Sequence, residues 1–233
     1  MPLRARPRVL ANFASTIDGK INPAPGRRAG PFMMSRHRED ISRMRSLRAD
    51  ADAVLIGAAN LRADDPDLAL HAHERAARRA AGTPEPLRAV VTSSAAGIEP
   101  TMKMFDPARG GRAVVFHGAR MPAEARQRLA PVAELVELGG ETVPMLDLLA
   151  WFYVRGVATL LCEGGGDLVA QLFEARAVDL LYLTIVPRVL GGAHAPTLAG
   201  GLGFSPDEIP DAKLASVEHL GDELFLRYEF SWD

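Results

Sequence analysis

The stretch TLLCEGGGDLVAQLFEA, Thr159 to Ala175, decides the fold. Thr159–Cys162 is a short apolar run of strand type, and Asp167–Ala175 carries a helical pattern. Three consecutive glycines, Gly164, Gly165 and Gly166, join them. A glycine-rich passage from strand to helix exposes backbone N–H groups at the positive end of a helix dipole, a ready place for phosphate. The bland alternative is a tight connection. The spacing is neither G-x-G-x-x-G nor a P-loop, so a dinucleotide fold of the usual kind is not indicated. Glu163, at the strand end beside the loop, is hard to explain as core.

Outward from this unit the same alternation recurs. Strand-type runs fall at Arg8–Ala14, Asp52–Gly57, Leu87–Thr92, Arg112–His117 and Val132–Leu138. Helix-like segments lie at Ser35–Arg48, where Ile41, Met44 and Leu47 recur every third residue, and at Pro122–Ala130 and Thr142–Arg155. Such alternation predicts a mostly parallel sheet covered on both faces. The end of the chain differs. Val178–Val186 is a long buried strand stopped by Pro187, a Gly/Pro-rich loop follows at Gly191–Pro210, and Leu214–Leu220 and Glu223–Phe230 flank a Gly221-Asp222 turn. That predicts an antiparallel C-terminal hairpin. The basic, alanine-rich segment His71–Arg88 reads as an exposed helix or surface excursion, and His71-x-His73-Glu74 as part of it more readily than as a metal site.

The 233 residues are 48% hydrophobic and 24% charged, with a formal net charge of −2. They suit one domain spanning residues 1–233. No basic excess points to nucleic acid. The single cysteine, Cys162, excludes an intramolecular disulfide and a multi-cysteine zinc site and fits a reducing compartment. Val9–Ala11 is too short for a signal peptide's apolar region, and no run approaches the ~18 residues of a membrane span. The expectation is a soluble, cytoplasmic protein with no membrane partner and no metal.

Two further segments also begin where strands end, the usual ligand position in open parallel sheets. Ala14–Ile21 delivers small and hydroxyl residues to an Asp18-Gly19 turn, which by itself is an ordinary β-turn. Asp52–Gly57 breaks at a glycine and leads into Asn60, Asp64 and Asp65; the plain reading is that Asp64 or Asp65 caps a short helix or opens a turn at Pro66. No general acid is identified. Asp18 and Glu163 are only the acidic residues nearest to hand.

Taken in order, ASTIDGKI at 14–21, LRADADAVLIGAANLRADDPDL at 47–68, EGGGDLV at 163–169 and VDLLYLTIVPRVLGGAHAPTLAGGLGF at 178–204 resemble the riboflavin-biosynthesis pyrimidine reductase family. The resemblance runs from Val9 to Phe230. It implies a dihydrofolate-reductase-like three-layer α/β/α fold, NADPH as hydride donor, a homodimer, and a ribosylamino-pyrimidine 5′-phosphate as substrate. In the family the ribose opens to an imine, and hydride addition leaves a ribityl chain. Family NADPH contacts fall on Ala14, Asn60, Asp64, Ser93, Gly164, Gly165, Gly166, Asp167 and Leu168; substrate contacts fall on Arg48, Leu68, His71 and Glu163. Arg48 closes its helix and is suited to a phosphate by its planar fork. Departures are Asn60 for a frequent threonine, His71 for a frequent arginine, and Phe32-Met33-Met34-Ser35 for a tryptophan-containing stretch, which also leaves Gly30 without a clear counterpart. Asn12, where bifunctional members carry lysine, and His71 look like the stand-alone archaeal-type reductases. One cysteine cannot supply the deaminase zinc signature of the bifunctional members. The substrate is either the diamino-pyrimidinone or the deaminated uracil. A dihydrofolate or pteridine reductase and a non-catalytic nucleotide-binding paralogue are the competing readings.

Overall fold

The computed structural model describes residues 5–24 and 38–232. Gly30, Phe32–Ser35 and the start of the helix expected from Ser35 lie outside the described residues. The strands are β1 (Arg8–Thr16), β2 (Ala53–Gly57), β3 (Leu87–Thr92), β4 (Ala113–His117), β5 (Glu134–Glu137), β6 (Thr159–Cys162), β7 (Val178–Val186), β8 (Ala212–Leu220) and β9 (Glu223–Phe230). The helices are α1 (Arg38–Asp50), α2 (Ala58–Asp64), α3 (Ala72–Ala80), α4 (Ala123–Leu129), α5 (Met145–Val154) and α6 (Gly166–Glu174).

One sheet has the order β5-β4-β3-β2-β6-β1-β7-β9-β8. From β5 to β7 every pairing is parallel; β9 runs antiparallel to β7 and β8 antiparallel to β9. Alternation along β1 sorts the core into two layers. Val9, Ala11 and Phe13 face α5 and α6, packing with Leu149, Phe152, Leu168 and Leu172. Leu10 faces the other way, toward Leu47 of α1, Leu61 of α2 and Leu129 of α4. The expected three-layer α/β/α arrangement with an antiparallel end is therefore the one observed. Among the described residues no helix is long and apolar enough to cross a membrane.

The differences from expectation have local causes. β1 continues through Ser15 and Thr16 because these residues pair with Ile185 and Val186 of the long β7. Asp52 stands just outside β2, where its carboxylate accepts the amides of Ala158 and Thr159 at 2.9 Å and starts β6. Arg88 is not a surface cation: it is 2% exposed on β3, and its guanidinium donates to the Asp106 carbonyl at 3.2 Å and to that of Gly111 at 2.9 Å. At the chain's beginning Arg6 grips Asp179 through two 2.7 Å bonds, while Asp179 also accepts the Val9 amide. That clamp holds the central strand β1 against β7.

Phe116, fully buried on β4, meets Trp151 and Phe152 of α5 edge-on at ring-centroid distances of 4.9 and 5.1 Å. Phe116→Ala should lower the unfolding free energy by about 3–5 kcal/mol in urea titration, with little change in the m-value. A cost below about 1 kcal/mol would mean that this layer refills the space.

Candidate functional site

The expected cofactor residues are scattered in sequence but follow the strand order in space. Ser93 follows β3, Asn60 lies in the helix after β2, Gly164–Leu168 follow β6, and Ala14 sits near the end of β1. These are four adjacent strands, β3-β2-β6-β1. A cleft of ≈ 1030 Å³ opens there, lined by Asn60, Ser93, Gly165, Gly166, Asp167 and Leu168 among others. Ala14, Asp64 and Gly164 do not line it; Asp64 lies one turn beyond Asn60 on α2.

The glycine loop is held from three sides. The Gly57 amide donates to the Gly164 carbonyl at 2.7 Å, and Asn60 Nδ2 donates to the Glu163 carbonyl at 3.1 Å. Behind the loop, the Gly200 amide donates to the Gly166 carbonyl at 3.1 Å. A Cβ on Gly166 would stand 2.4 Å from the Thr197 carbonyl oxygen, so only glycine admits this approach. Gly164 has φ +113, also reserved for glycine. At Gly165, by contrast, a Cβ would meet nothing within 4 Å, so its backbone faces open space. The Leu168 and Val169 amides donate to the Gly165 carbonyl at 3.1 Å, which leaves the Gly166 and Asp167 amides as the outward donors of the first turn of α6. They mark the anion-attracting end of the cleft, tempered by the exposed Asp167 carboxylate.

The expected substrate residues Arg48 and Glu163 meet on the α1 side of the same loop. Arg48 and Glu163, each with a side chain 10% exposed, form a two-bond pair: Nε to Oε1 and Nη2 to Oε2, both 2.7 Å. Burial opposes the Arg48 charge, but Glu163 outweighs it and holds the guanidinium above its ordinary pKa. Asp67 stands 3.7 Å from Arg48 Nη1 and accepts a 2.7 Å bond from Arg109, giving an alternating chain Glu163–Arg48–Asp67–Arg109. Arg48 therefore does not present a free fork to a phosphate. Leu68 buries its side chain and has φ +54, so only its backbone is available to a ligand. His71 is exposed at the N-cap of α3, where its amide donates to Glu74 Oε2 at 2.7 Å. Asn12 lies one step past the Ala11–Cys162 pairing, so it neighbours Glu163 on this face. Its Oδ1 is buried and unpartnered among the described residues.

Two other residues are settled by their surroundings. Asp18 is held at a pKa of about 2 by the Thr16 hydroxyl and the Gly191 and Leu190 amides. It stays a carboxylate down to strongly acidic pH and straps the β1 turn to the loop after β7; it is no proton donor near neutrality. Burial pushes the Cys162 thiol up to about 12, so it stays neutral and unreactive. Sequence reasoning missed the cleft residues Arg62, Thr142, Gln171, His194 and Thr197. They come from four separate segments, of which that of Arg62 and the long Gly/Pro-rich loop, which holds His194 and Thr197, fell in stretches that carried the resemblance.

Removing one member of a buried ion pair strands the other. Arg48→Ala should cost about 3–5 kcal/mol of stability, whereas the Arg48→Met, Glu163→Leu double variant should recover most of it in the same denaturant titration. A double variant no better than the single would mean the loss is one of packing.

The RibD C-terminal domain family model matches residues 7–226. The 2,5-diamino-6-ribosylamino-4(3H)-pyrimidinone 5′-phosphate reductase of Archaeoglobus fulgidus is 30% identical over 228 residues, covering 97% of this chain and 99% of that protein. Its namesake from Methanothermobacter thermautotrophicus is 32% identical over 226 residues, covering 96% and 98%. In fold, a pyrimidine reductase-like protein from Corynebacterium diphtheriae matches with a TM-score of 0.80 at 21% identity, covering 100% of this chain and 96% of that one. A sheet whose glycine loop borders the cleft and the Arg48–Glu163 pair, and a sequence aligned with these reductases almost end to end, lead to one statement: the chain belongs to the RibD C-terminal domain family.

Proposed function

We propose that this chain reduces a ribosylamino-pyrimidine 5′-phosphate to its ribityl form, with NADPH as the hydride donor. The observation that carries this reading is the double use of one turn. Glu163 points to the α1 face and is gripped by Arg48, while Gly165 and Gly166, two and three residues later, line the ≈ 1030 Å³ cleft. A donor in the cleft and an acceptor on Glu163 would meet at the ends of β1 and β6.

The residues present fit a nicotinamide dinucleotide. The first amides of α6 and the open backbone at Gly165 suit its diphosphate. Asn60 spends its Nδ2 on the Glu163 carbonyl and so shapes the loop. Ala14 keeps the end of β1 small. Bound, the reduced nicotinamide supplies the hydride, and the protein's share is orientation and exclusion of competing chemistry. That hydride would reduce the imine carbon of the opened ribose, and a proton from solvent would complete the amine.

On the substrate side Glu163 accepts hydrogen bonds with the oxygen lone pairs that Arg48 leaves free. Arg48 acts through Glu163 as a positioning residue, and Asp67 and Arg109 steady it in turn. The unpartnered Asn12 Oδ1 beside Glu163 would accept from an exocyclic amino group. That favours the 2,5-diamino-pyrimidinone, which carries an amino group where the deaminated uracil carries a carbonyl. Action in the cytoplasm and a homodimer complete the reading. In the single chain the edge strand β8 is exposed along most of its length, with Leu214 at 50% and Val217 at 57%. An uncovered apolar edge of this kind suits a second copy.

NADPH oxidation followed side by side with the diamino-pyrimidinone phosphate, the uracil phosphate and dihydrofolate tests the reaction. The diamino compound should turn over fastest and dihydrofolate not at all. Tight NADPH binding without turnover of either pyrimidine would overturn the proposal. Sedimentation should give a dimer for the native chain and a monomer for Val217→Asp; a native monomer removes the dimer from the reading.

A further inference from the structure

The end of the cleft farthest from Glu163 has a chemistry of its own. Arg62 of α2 lines it together with Ser93, Ser94 and Gly97, all just beyond β3. Most cations around the site are neutralised: Arg48 by Glu163, Arg109 by Asp67, Arg128 by Glu99. Arg62 instead donates only to a neutral acceptor, the Ala96 carbonyl, at 3.1 Å, and no carboxylate pairs with it among the described residues. Its stem lies flat across Gly97, where a Cβ would stand 2.9 Å from Arg62 Cδ. The guanidinium is thus laid in place before any ligand arrives, which reduces the ordering cost of binding.

The direction of a dinucleotide in the cleft follows from the strand order. If the diphosphate sits at the glycine loop after β6 and the nicotinamide turns toward β1 and Glu163, the adenosine must run the other way, over β2 to β3. Adjacent strands are about 4.8 Å apart, so the end of β3 lies roughly 10 Å from that of β6. A site for a bare ribose hydroxyl pair calls for a carboxylate acceptor, whereas a site for a 2′-phosphate calls for arginine. Among the described lining residues the only carboxylate is Asp167, at the glycine-loop end; the β3 end holds a guanidinium and two hydroxyls.

We propose that Arg62, backed by the Ser93 and Ser94 hydroxyls, binds the 2′-phosphate on the adenosine ribose and selects NADPH over NADH. This rests on the reading of the cleft as a nicotinamide dinucleotide site. The test is binding to the purified chain, by calorimetry, of two fragments that carry no hydride: 2′,5′-ADP and 5′-AMP. The native chain should hold 2′,5′-ADP about 10- to 100-fold more tightly, the range of a charge-assisted hydrogen-bonded contact. Added salt should shrink the preference, since the contact is exposed. Arg62→Ala should abolish the preference while leaving 5′-AMP affinity within about twofold, and Arg62→Lys should retain part of it. An unchanged melting temperature guards against a folding defect. Equal binding of the two fragments by the native chain, or equal weakening of both by Arg62→Ala, overturns the assignment. Native binding of NADH and NADPH with equal affinity would overturn it while leaving the dinucleotide site standing; binding of no fragment and neither dinucleotide would remove both.

Discussion

Everything at the site depends on how the chain leaves β6. The turn from Glu163 to Gly166 is pinned by the Gly57 amide on one side and the Asn60 side chain on another, while the Gly200 amide closes it from behind. These bonds satisfy backbone groups that a buried connection would otherwise leave unpaired. They also fix which way each neighbour points. Because β6 is alternate-faced, Cys162 enters the layer under α5 and α6, and Glu163 emerges toward α1.

The price of that placement is a buried carboxylate, and Arg48 is the answer to it. Desolvation of either group alone would be strongly unfavourable, so the two-bond pair is as much a requirement of the fold as an ornament of the site. Asp67 and Arg109 extend the compensation outward to a more exposed region, where charge is cheap to hold. A residue expected to seek phosphate is thereby turned into the support of a neighbouring acid.

The order of strands brings distant sequence segments together along one cleft. β6 begins at Thr159, long after β3 ends at Thr92, yet is inserted between β2 and β1, so the ends of β3, β2, β6 and β1 lie side by side. Among the described residues Arg62 at one end has no carboxylate partner, and the Arg48–Glu163 pair stands at the other.

The sequence by itself determined the elements and the place of the glycine loop. Val178–Val186 and Glu223–Phe230 were delimited to the residue, because their apolar runs end at Pro187 and at the Gly221-Asp222 turn, local chemistry that needs no partner. The glycine triplet marked the loop for the same reason. Tertiary structure alone decided what the charged residues do. Arg88 reads as surface until the Asp106 and Gly111 carbonyls close over it, and Arg48 reads as a free cation until Glu163, 115 positions later, meets it. Arg62 carried no signal, since its bond to the Ala96 carbonyl, with no carboxylate partner among the described residues, is a property of its surroundings. Propensity and turn chemistry act over a few neighbouring residues and are written in order along the chain. The state of a long charged side chain depends on desolvation and on partners brought from elsewhere, and those exist only once the sheet has formed.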